Sequence, residues 1–380
     1  MIYKCKNCDG NMVYHVEERK LYCPYCNSTD TEKLIPGKKM GNCDSCGGEW
    51  SVGTYELVGK CPYCFQYVIY DKRVEGEYEP SKILPFKIGK EQAKSVIRIE
   101  YKKKMYAPSS FLAEANLEKM EGYYVPFWLY NFNVNVNFRG KGIRERIATD
   151  VKTDNVTTSY YDIHRNFDAG FRRVPADASM NMPNEIMDNM EPYDYTELEN
   201  FDPKYVSGFL GEIYNFDAKN YAHRAKEKIK SDAQGLLDKS LSNFITVTTI
   251  ENKMEFEEKE TIYALLPVWK YLYTYRGKEF EYYINGQTGK VIGEAPFSKG
   301  KLVIYSGAIF ILAMLGMWLL FNVLIGDGLI DLIASFVGAS IAAVIFAVFT
   351  TRKKPEKTTT AKTFLSFQRM NEIKDIRIIG

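Results

Sequence analysis

Two stretches late in the chain are apolar almost without interruption, whereas everything before them mixes apolar and polar residues at short period. Residues 302–325, LVIYSGAIFILAMLGMWLLFNVLI, hold no charged side chain, and residues 329–350, LIDLIASFVGASIAAVIFAVFT, hold only Asp331. As helices rising ~1.5 Å per residue, each is long enough to cross a ~30 Å hydrocarbon core with some tilt. Gly326, Asp327 and Gly328 break the run between them, so the pattern predicts a C-terminal two-helix transmembrane hairpin over 302–350. Asp331 falls beside the turn and reads as a rim residue. Ser335, Gly338, Ala339, Ser340, Ala342 and Ala343 would let a neighbouring helix approach closely, which also allows an oligomer through the hairpin.

Ahead of the hairpin, residues 80–298 read as an α+β domain with an antiparallel sheet. Residues 90–104 carry apolar positions at helical spacing, and residues 108–119 suggest a further short helix. From Tyr123, YYVPFWLYNFNVNVNFRG alternates strongly enough for a long strand. Asp202-Pro203 has the form of a helix start, and Asp217 opens a helix of about twenty residues through HRAKEKIKSDAQGLLDKSL. Strands return at ITVTTI, TIYALLPVWKYLYTYRG, KEFEYYI and KVIGEA, with a sharp turn at Asn285-Gly286. VPFWLY at 125–130 echoes LPVWKY at 266–271. The echo fits a duplicated α+β unit, or two edge strands that merely start alike.

The first 72 residues follow another rule. NMVYHVEERKLY and EWSVGTYELVGK alternate like short hairpins, and each is framed by two CxxC pairs. The pairs are Cys5 and Cys8, Cys23 and Cys26, Cys43 and Cys46, Cys61 and Cys64, and the pattern repeats after 38 residues. A two-residue spacer lets both thiolates of a tight turn, or knuckle, reach one ion, and two knuckles close the tetrahedral shell of structural Zn²⁺. Fourteen residues separate the knuckles of each pair, one fewer than the usual spacing. Two tandem zinc ribbons are therefore expected, at 1–36 and 37–72, with two structural zinc ions per chain. Each ribbon buries too few apolar residues to fold without its ion, so loss of one should leave the middle domain standing.

Rival uses of the cysteines fit less well. MIYKCKNCDG lacks the apolar run of a secretory signal that a disulfide framework would imply. Neither CxxC sits between a strand and a helix as redox chemistry asks, and four cysteines leave no open catalytic position. His15 reads as a solvated hairpin residue.

Composition adds limits. At 380 residues, 46% apolar and 26% charged, the chain is folded and too long for one core. Its net charge is +2, and residues 1–70 hold eight basic and eight acidic side chains, so two Zn(Cys)₄ centres would bring that segment to about −4. An electrostatic footprint for nucleic acid is missing. Lys299 and Lys301 precede the first span, and Arg352, Lys353, Lys354 and Lys357 follow the second. The positive-inside rule then gives a multi-pass cell-membrane protein with both termini cytoplasmic, the compartment that keeps thiols reduced. The tail, 351–380, would be held near anionic head groups by its basic start, and Ile373, Ile376, Ile378 and Ile379 could form a docking strand.

No catalytic constellation emerges from the middle domain. His164 and His223 are its only histidines, no GxSxG, HExxH, P-loop or GxGxxG context occurs, and EFEEKE, EPYDY and the basic run at 102–104 read as solvated surface. The tandem CxxC pairs, ILPFKIGKEQA at 83–93, the pairing of YVPFW with ALLPVW and NGQTGKVIGE, and the terminal apolar pair follow in that order along nearly the whole chain. In this the chain resembles the bacterial double zinc-ribbon membrane proteins, often labelled as containing a transcription-factor-IIB-type zinc ribbon. The resemblance implies a role beside phage-shock protein A and flotillin-like SPFH proteins, recruiting such partners to the membrane in envelope stress. The expected function is thus a membrane-anchored adaptor. A nucleic-acid-binding membrane protein, or an enzyme with a pocket in the α+β domain, are the alternatives.

Overall fold

The first cysteine module folds into β1 (Ile2–Cys5), β2 (Val13–His15), β3 (Lys20–Tyr22) and β4 (Glu32–Ile35). β2 and β3 form the expected hairpin, and β1 pairs with β4 outside it. The second module departs from expectation. EWSVGTYELVGK yields β5 (Glu56–Lys60), which pairs with β6 (Tyr67–Ile69) beyond Cys64 and with the sheet of the middle region. Leu57 and Val58 are fully buried there, and burying both against a large sheet outweighs a short local hairpin. A single helical turn, α1 (Asp71–Val74), follows. The computed structural model describes residues 1–37, 41–74, 78–102, 104–150, 153–294, 296–324 and 328–352; the tail expected to dock lies, from residue 353, outside the described residues.

The middle region begins with β7 (Lys82–Ile83) and α2 (Lys90–Lys102). The short helix expected at 108–119 is instead a 3₁₀ turn at Ser109–Leu112 and α3 (Glu114–Leu117), broken at Ala113, which is extended. Two long strands follow, β8 (Glu121–Asp150) and β9 (Thr153–Asp177), then α4 (Asn184–Asn189) and β10 (Glu199–Asn200). Asp202-Pro203 starts only a 3₁₀ turn, although the Asp202 side chain does accept from the Lys204 amide as an N-cap should. β11 (Leu210–Glu212) leads to α5 (Ala218–Leu241), opened by Asp217 as expected. The two strands expected around EFEEKE are one, β12 (Thr246–Tyr275), whose polar stretch alternates in the open while its end is buried on both faces. β13 (Lys278–Asn285) and β14 (Val291–Gly293) close the domain around the Asn285-Gly286 turn.

Ten strands form one sheet, with path β10-β7-β12-β8-β11-β5-β6; β9 pairs with β8, and β13 with β12 and β14. The long strands are antiparallel, but β11 runs parallel to β8 and β7 parallel to β12, so the sheet is mixed rather than antiparallel. Each parallel pair is joined by a long stretch of chain: β9, α4 and β10 lie between β8 and β11, and everything from α2 to α5 lies between β7 and β12.

The sequence echo is resolved by this topology. VPFWLY and LPVWKY are not edge strands but the central pair, and they cross with Val125 opposite Leu266. A rotation about that point carries β8 onto β12 and most of the neighbourhood with it. Leu210 and Gly211 lie beside Tyr123 and Tyr124, as Lys82 and Ile83 lie beside Ala264 and Leu265. The Ala178 amide donates to the Pro126 carbonyl at 2.9 Å, and the Gly286 amide to Pro267 at 2.9 Å. Trp128 Nε1 donates to Phe216 O at 3.2 Å, and Trp269 Nε1 to Ile88 O at 2.9 Å. The domain is a duplicated unit whose halves complete each other's hydrogen bonds.

Where β8 and β12 cross, both faces are covered. Tyr124, Leu265, Trp269 and Tyr271 face one core, and Val125, Phe127, Leu266 and Val268 another beneath α4. Further along, β9, β8 and β12 extend as a three-stranded arm, β8 alone comprising about 100 Å of extended backbone. Phe132, Val134, Val136 and Phe138 pack on Ile229, Ala233 and Leu237 of α5, while Asn133, Asn135 and Asn137 line the open face. This is the period-two rule read directly from NFNVNVNF.

After the domain come α6 (Lys299–Leu324) and α7 (Gly328–Arg352). Both contain windows long and apolar enough to cross a membrane, at Lys299–Leu320 and Leu332–Phe349. They pack side by side: Phe310 meets Phe336 edge-on at 5.5 Å, Ser335 and Ala339 are buried, and Met317 occupies the space a side chain at Gly338 would need. The small residues thus serve close approach within this pair.

Candidate metal centres

All four CxxC turns share one backbone form. In each, the amide of the first cysteine donates to the carbonyl five residues on, and the amide four residues on donates back to the first cysteine's carbonyl. The returning residue has a left-handed backbone in every case: Asp9, Asn27, Gly47 and Phe65, at φ of 58, 60, 75 and 60°. Two turns then bring four sulfurs together. Cys5 and Cys26 stand 3.6 Å apart, Cys8 and Cys23 3.5 Å, Cys43 and Cys64 3.6 Å, Cys46 and Cys61 3.7 Å, with every sulfur of a tetrad within 4.8 Å of the others. A tetrahedron of Zn–S bonds at ~2.3 Å has edges of about 3.8 Å, whereas a disulfide needs about 2.05 Å. The eight cysteines are free, and the donor set fits a metal ion that prefers soft tetrahedral sulfur.

Electrostatics point the same way. The Thr31 hydroxyl, 3.4 Å from Cys5 Sγ, and nearby amides hold the Cys5 thiol down to about 6. Its neighbour Cys8, despite the Gly10 amide, is pushed up to about 12 by the sulfurs of Cys26 and Cys23. Four thiolates this close cannot all carry charge unless a cation sits among them.

The modules are not beads on a string. The Tyr14 amide donates to Ser207 O at 2.8 Å, and Met12, Tyr14 and Leu21 join the main core with Tyr205 and Val206. The second module contributes β5 and β6 to the sheet and Leu57, Val58 and Ile69 to that core. On the outside, Tyr25, Tyr63 and Phe65 of the two CPYC knuckles are each about two-thirds exposed. Tyr25 covers Gly10 and Tyr63 covers Gly48, where an added Cβ would fall 2.5 and 2.4 Å from the rings. Gln66 Nε2 donates to Tyr25 Oη at 3.2 Å and ties the two knuckles into one aromatic patch. Phe65 is the unusual member, a bulky side chain in a conformation that Gly, Asn and Asp tolerate.

His15 is half-buried on β2, with Nδ1 accepting from the Glu18 amide at 3.3 Å, while His164 and His223 are exposed on β9 and α5. None stands with the cysteines in either tetrad. One polar site had no sequence signal. EPYDY is not solvated at its start: Glu191 is buried, near Lys228 at 3.4 Å. Arg224 bridges Asp177, at 2.5 Å, and Asp188, at 2.8 Å, and Lys228 also reaches Asp188 at 2.8 Å. Lys290, desolvated among the Asn189 and Glu191 carbonyls, is lowered to about 8. Spread over β9, α4, α5 and the β13–β14 turn, these residues meet only in the folded chain. A cleft of about 830 Å³ also opens between the second module and the ends of β8 and β12. Its Lys60, Lys90 and Lys270 are each engaged by a carboxylate, of Glu121, Glu118 and Glu281.

No family model matches the chain, and no solved structure does. It is similar to Uncharacterized protein YdjG of Bacillus subtilis (strain 168), 29% identical over 318 residues that cover 81% of this chain and 93% of that protein.

Proposed function

We propose that the protein is a membrane-anchored zinc-ribbon adaptor. Two zinc ions, one on Cys5, Cys8, Cys23 and Cys26 and one on Cys43, Cys46, Cys61 and Cys64, would staple a rigid platform to the sheet domain. α6 and α7 would hold it at the cytoplasmic face as a transmembrane hairpin, with protein partners recruited there. The observation that carries this reading is the aromatic patch of Tyr25, Tyr63 and Phe65, above all the left-handed Phe65. A large apolar side chain kept at a strained, solvent-facing position points to a contact made with something else. The family resemblance makes phage-shock protein A and SPFH-type proteins the first partners to seek.

Deleting the first 70 residues would remove two strands of the large sheet, β5 and β6, so point variants are the cleaner test. Phe65→Gly relieves the backbone and is expected to leave stability unchanged or raised by up to ~1 kcal/mol. Combined with Tyr25→Ser and Tyr63→Ser, it should abolish co-purification of the partner from membranes in mild detergent. Partner recovery at the original level from the triple variant would remove the patch from the adaptor reading.

Metal content and topology are separately measurable. Purified protein should contain two zinc ions per chain, and an iron–sulfur absorption band would contradict the assignment. In a background with the native thiols masked, a cysteine placed at Asp327 should react with an impermeant reagent from outside the cell, and one at Thr359 should not. Labelling in the opposite sense would refute the cytoplasmic placement of the ribbons.

A further inference from the structure

The first turn of α6 is gripped by a loop of the sheet domain. The Ser298 amide donates to Tyr106 O at 2.9 Å, and the Tyr106 ring meets those of Phe297 and Tyr305 at 5.3 and 5.9 Å. Tyr305 already lies inside the apolar run that starts at Leu302, about 5 Å along the axis at ~1.5 Å per residue. Whatever touches that ring shares its depth. Beside Tyr106, Met105 is 45% exposed, and Ile99 near the end of α2 is 62% exposed. Lys102 and Lys104 make no ion pair among the described residues, and Lys299 and Lys301 stand at the start of α6. Glu100 and Glu294 both lie close to Tyr101, and against Lys102, Lys104, Lys299 and Lys301 these two acids leave an excess of positive charge.

We propose that this loop, through Lys102, Lys104, Met105 and Tyr106, is a second membrane contact of the sheet domain that binds the anionic head-group layer. Met105 seats among the upper acyl chains, Tyr106 joins Phe297 and Tyr305 in an interfacial aromatic cluster, and the lysines reach lipid phosphates. The inference rests on the reading of α6 as a membrane span. Its consequence is that the domain is held at two points and keeps a fixed tilt, instead of swinging on a tether.

The test uses the full chain in bilayers of phosphatidylcholine brominated just below the head group. Of the four tryptophans only Trp318 lies in an apolar span, in α6, so the lipid-quenched share of the native emission reports whether the spans are inserted, and Met105→Trp adds an emission at the loop. The added emission should be quenched together with that of Trp318 and be shielded from aqueous iodide. Phosphatidylglycerol should increase the shielding, by about fivefold per lysine in the docked-to-free ratio, and Lys102→Glu with Lys104→Glu should remove that increase. Quenching of Trp318 alone, with the added emission answering to iodide, overturns the loop contact and leaves the span reading intact. An unquenched Trp318 overturns both.

Discussion

The Cys61→Ser variant is expected to lose the second metal ion and, with it, one margin of the large sheet. Three thiolates do not close the shell, and the two turns that carry Cys43, Cys46, Cys61 and Cys64 have little but their ion to hold them together. β5 enters the sheet directly from this module, pairing Val58 with Gly211 of β11, which in turn lies against Tyr124 of β8. Freeing Leu57 and Val58 from complete burial should cost roughly 3–6 kcal/mol. Cys23→Ser should be milder, because the first module attaches through side chains and the Tyr14–Ser207 and Ile69–Met1 bonds without supplying a strand to the ten. Hydrogen exchange distinguishes the two. Amides at 210–212 should lose protection in Cys61→Ser and keep it in Cys23→Ser, with metal falling to one ion in each. Full protection of β11 in both would mean that each ribbon is energetically separate, as its sequence alone suggests.

Asp177 is expected to make stability fall as pH rises through 6. Its side chain is fully buried, one oxygen faces Arg224, and Oδ2 has no hydrogen-bond partner among the described residues. Burial raises its folded value from 3.8 to about 6 even with Arg224 present. The folded state therefore holds this proton more tightly than the unfolded chain. The resulting stabilisation is full below pH 3.8 and lost as pH passes through about 6, a difference of about 3 kcal/mol. Asp177→Asn abolishes the titration and copies the other half of the duplication, where Asn285 occupies the corresponding place opposite Val268. Denaturant melts at pH 4 and pH 7 should show the variant gaining about 2.5 kcal/mol relative to the native chain over that interval. An identical difference at both pH values would show that Asp177 ionises at its ordinary value.

The residues that make local structure were readable in order. The cysteine spacing implies the tetrads, the alternation of NFNVNVNF gives the arm its two faces, and the apolar runs give α6 and α7. What sequence does not carry is pairing between distant segments. EFEEKE looks like a loop because its side chains are solvated, yet its backbone is held on β8 from end to end. EWSVGTYELVGK has the pattern of a hairpin, but Val58 finds a better partner more than a hundred residues away. Glu191, Arg224 and Lys290 sit in ordinary polar stretches, and only the meeting of four elements makes them a cluster. The resemblance of VPFWLY to LPVWKY was visible, but the rotation that relates them needs the register of Val125 on Leu266.

That rotation sets a schedule for the nascent chain. β8 is finished at Asp150, but its central partner is complete only at Tyr275, a delay of about 6–25 s at ~5–20 residues per second. Through that interval Val125, Phe127 and Leu129 lack the β12 part of their core, and the edge of β8 that β12 will fill stands open on the ribosome. An open edge of that length calls for shielding while the chain grows. Lys299, where α6 begins, is made only after Tyr275, so β12 is complete before either long apolar helix is.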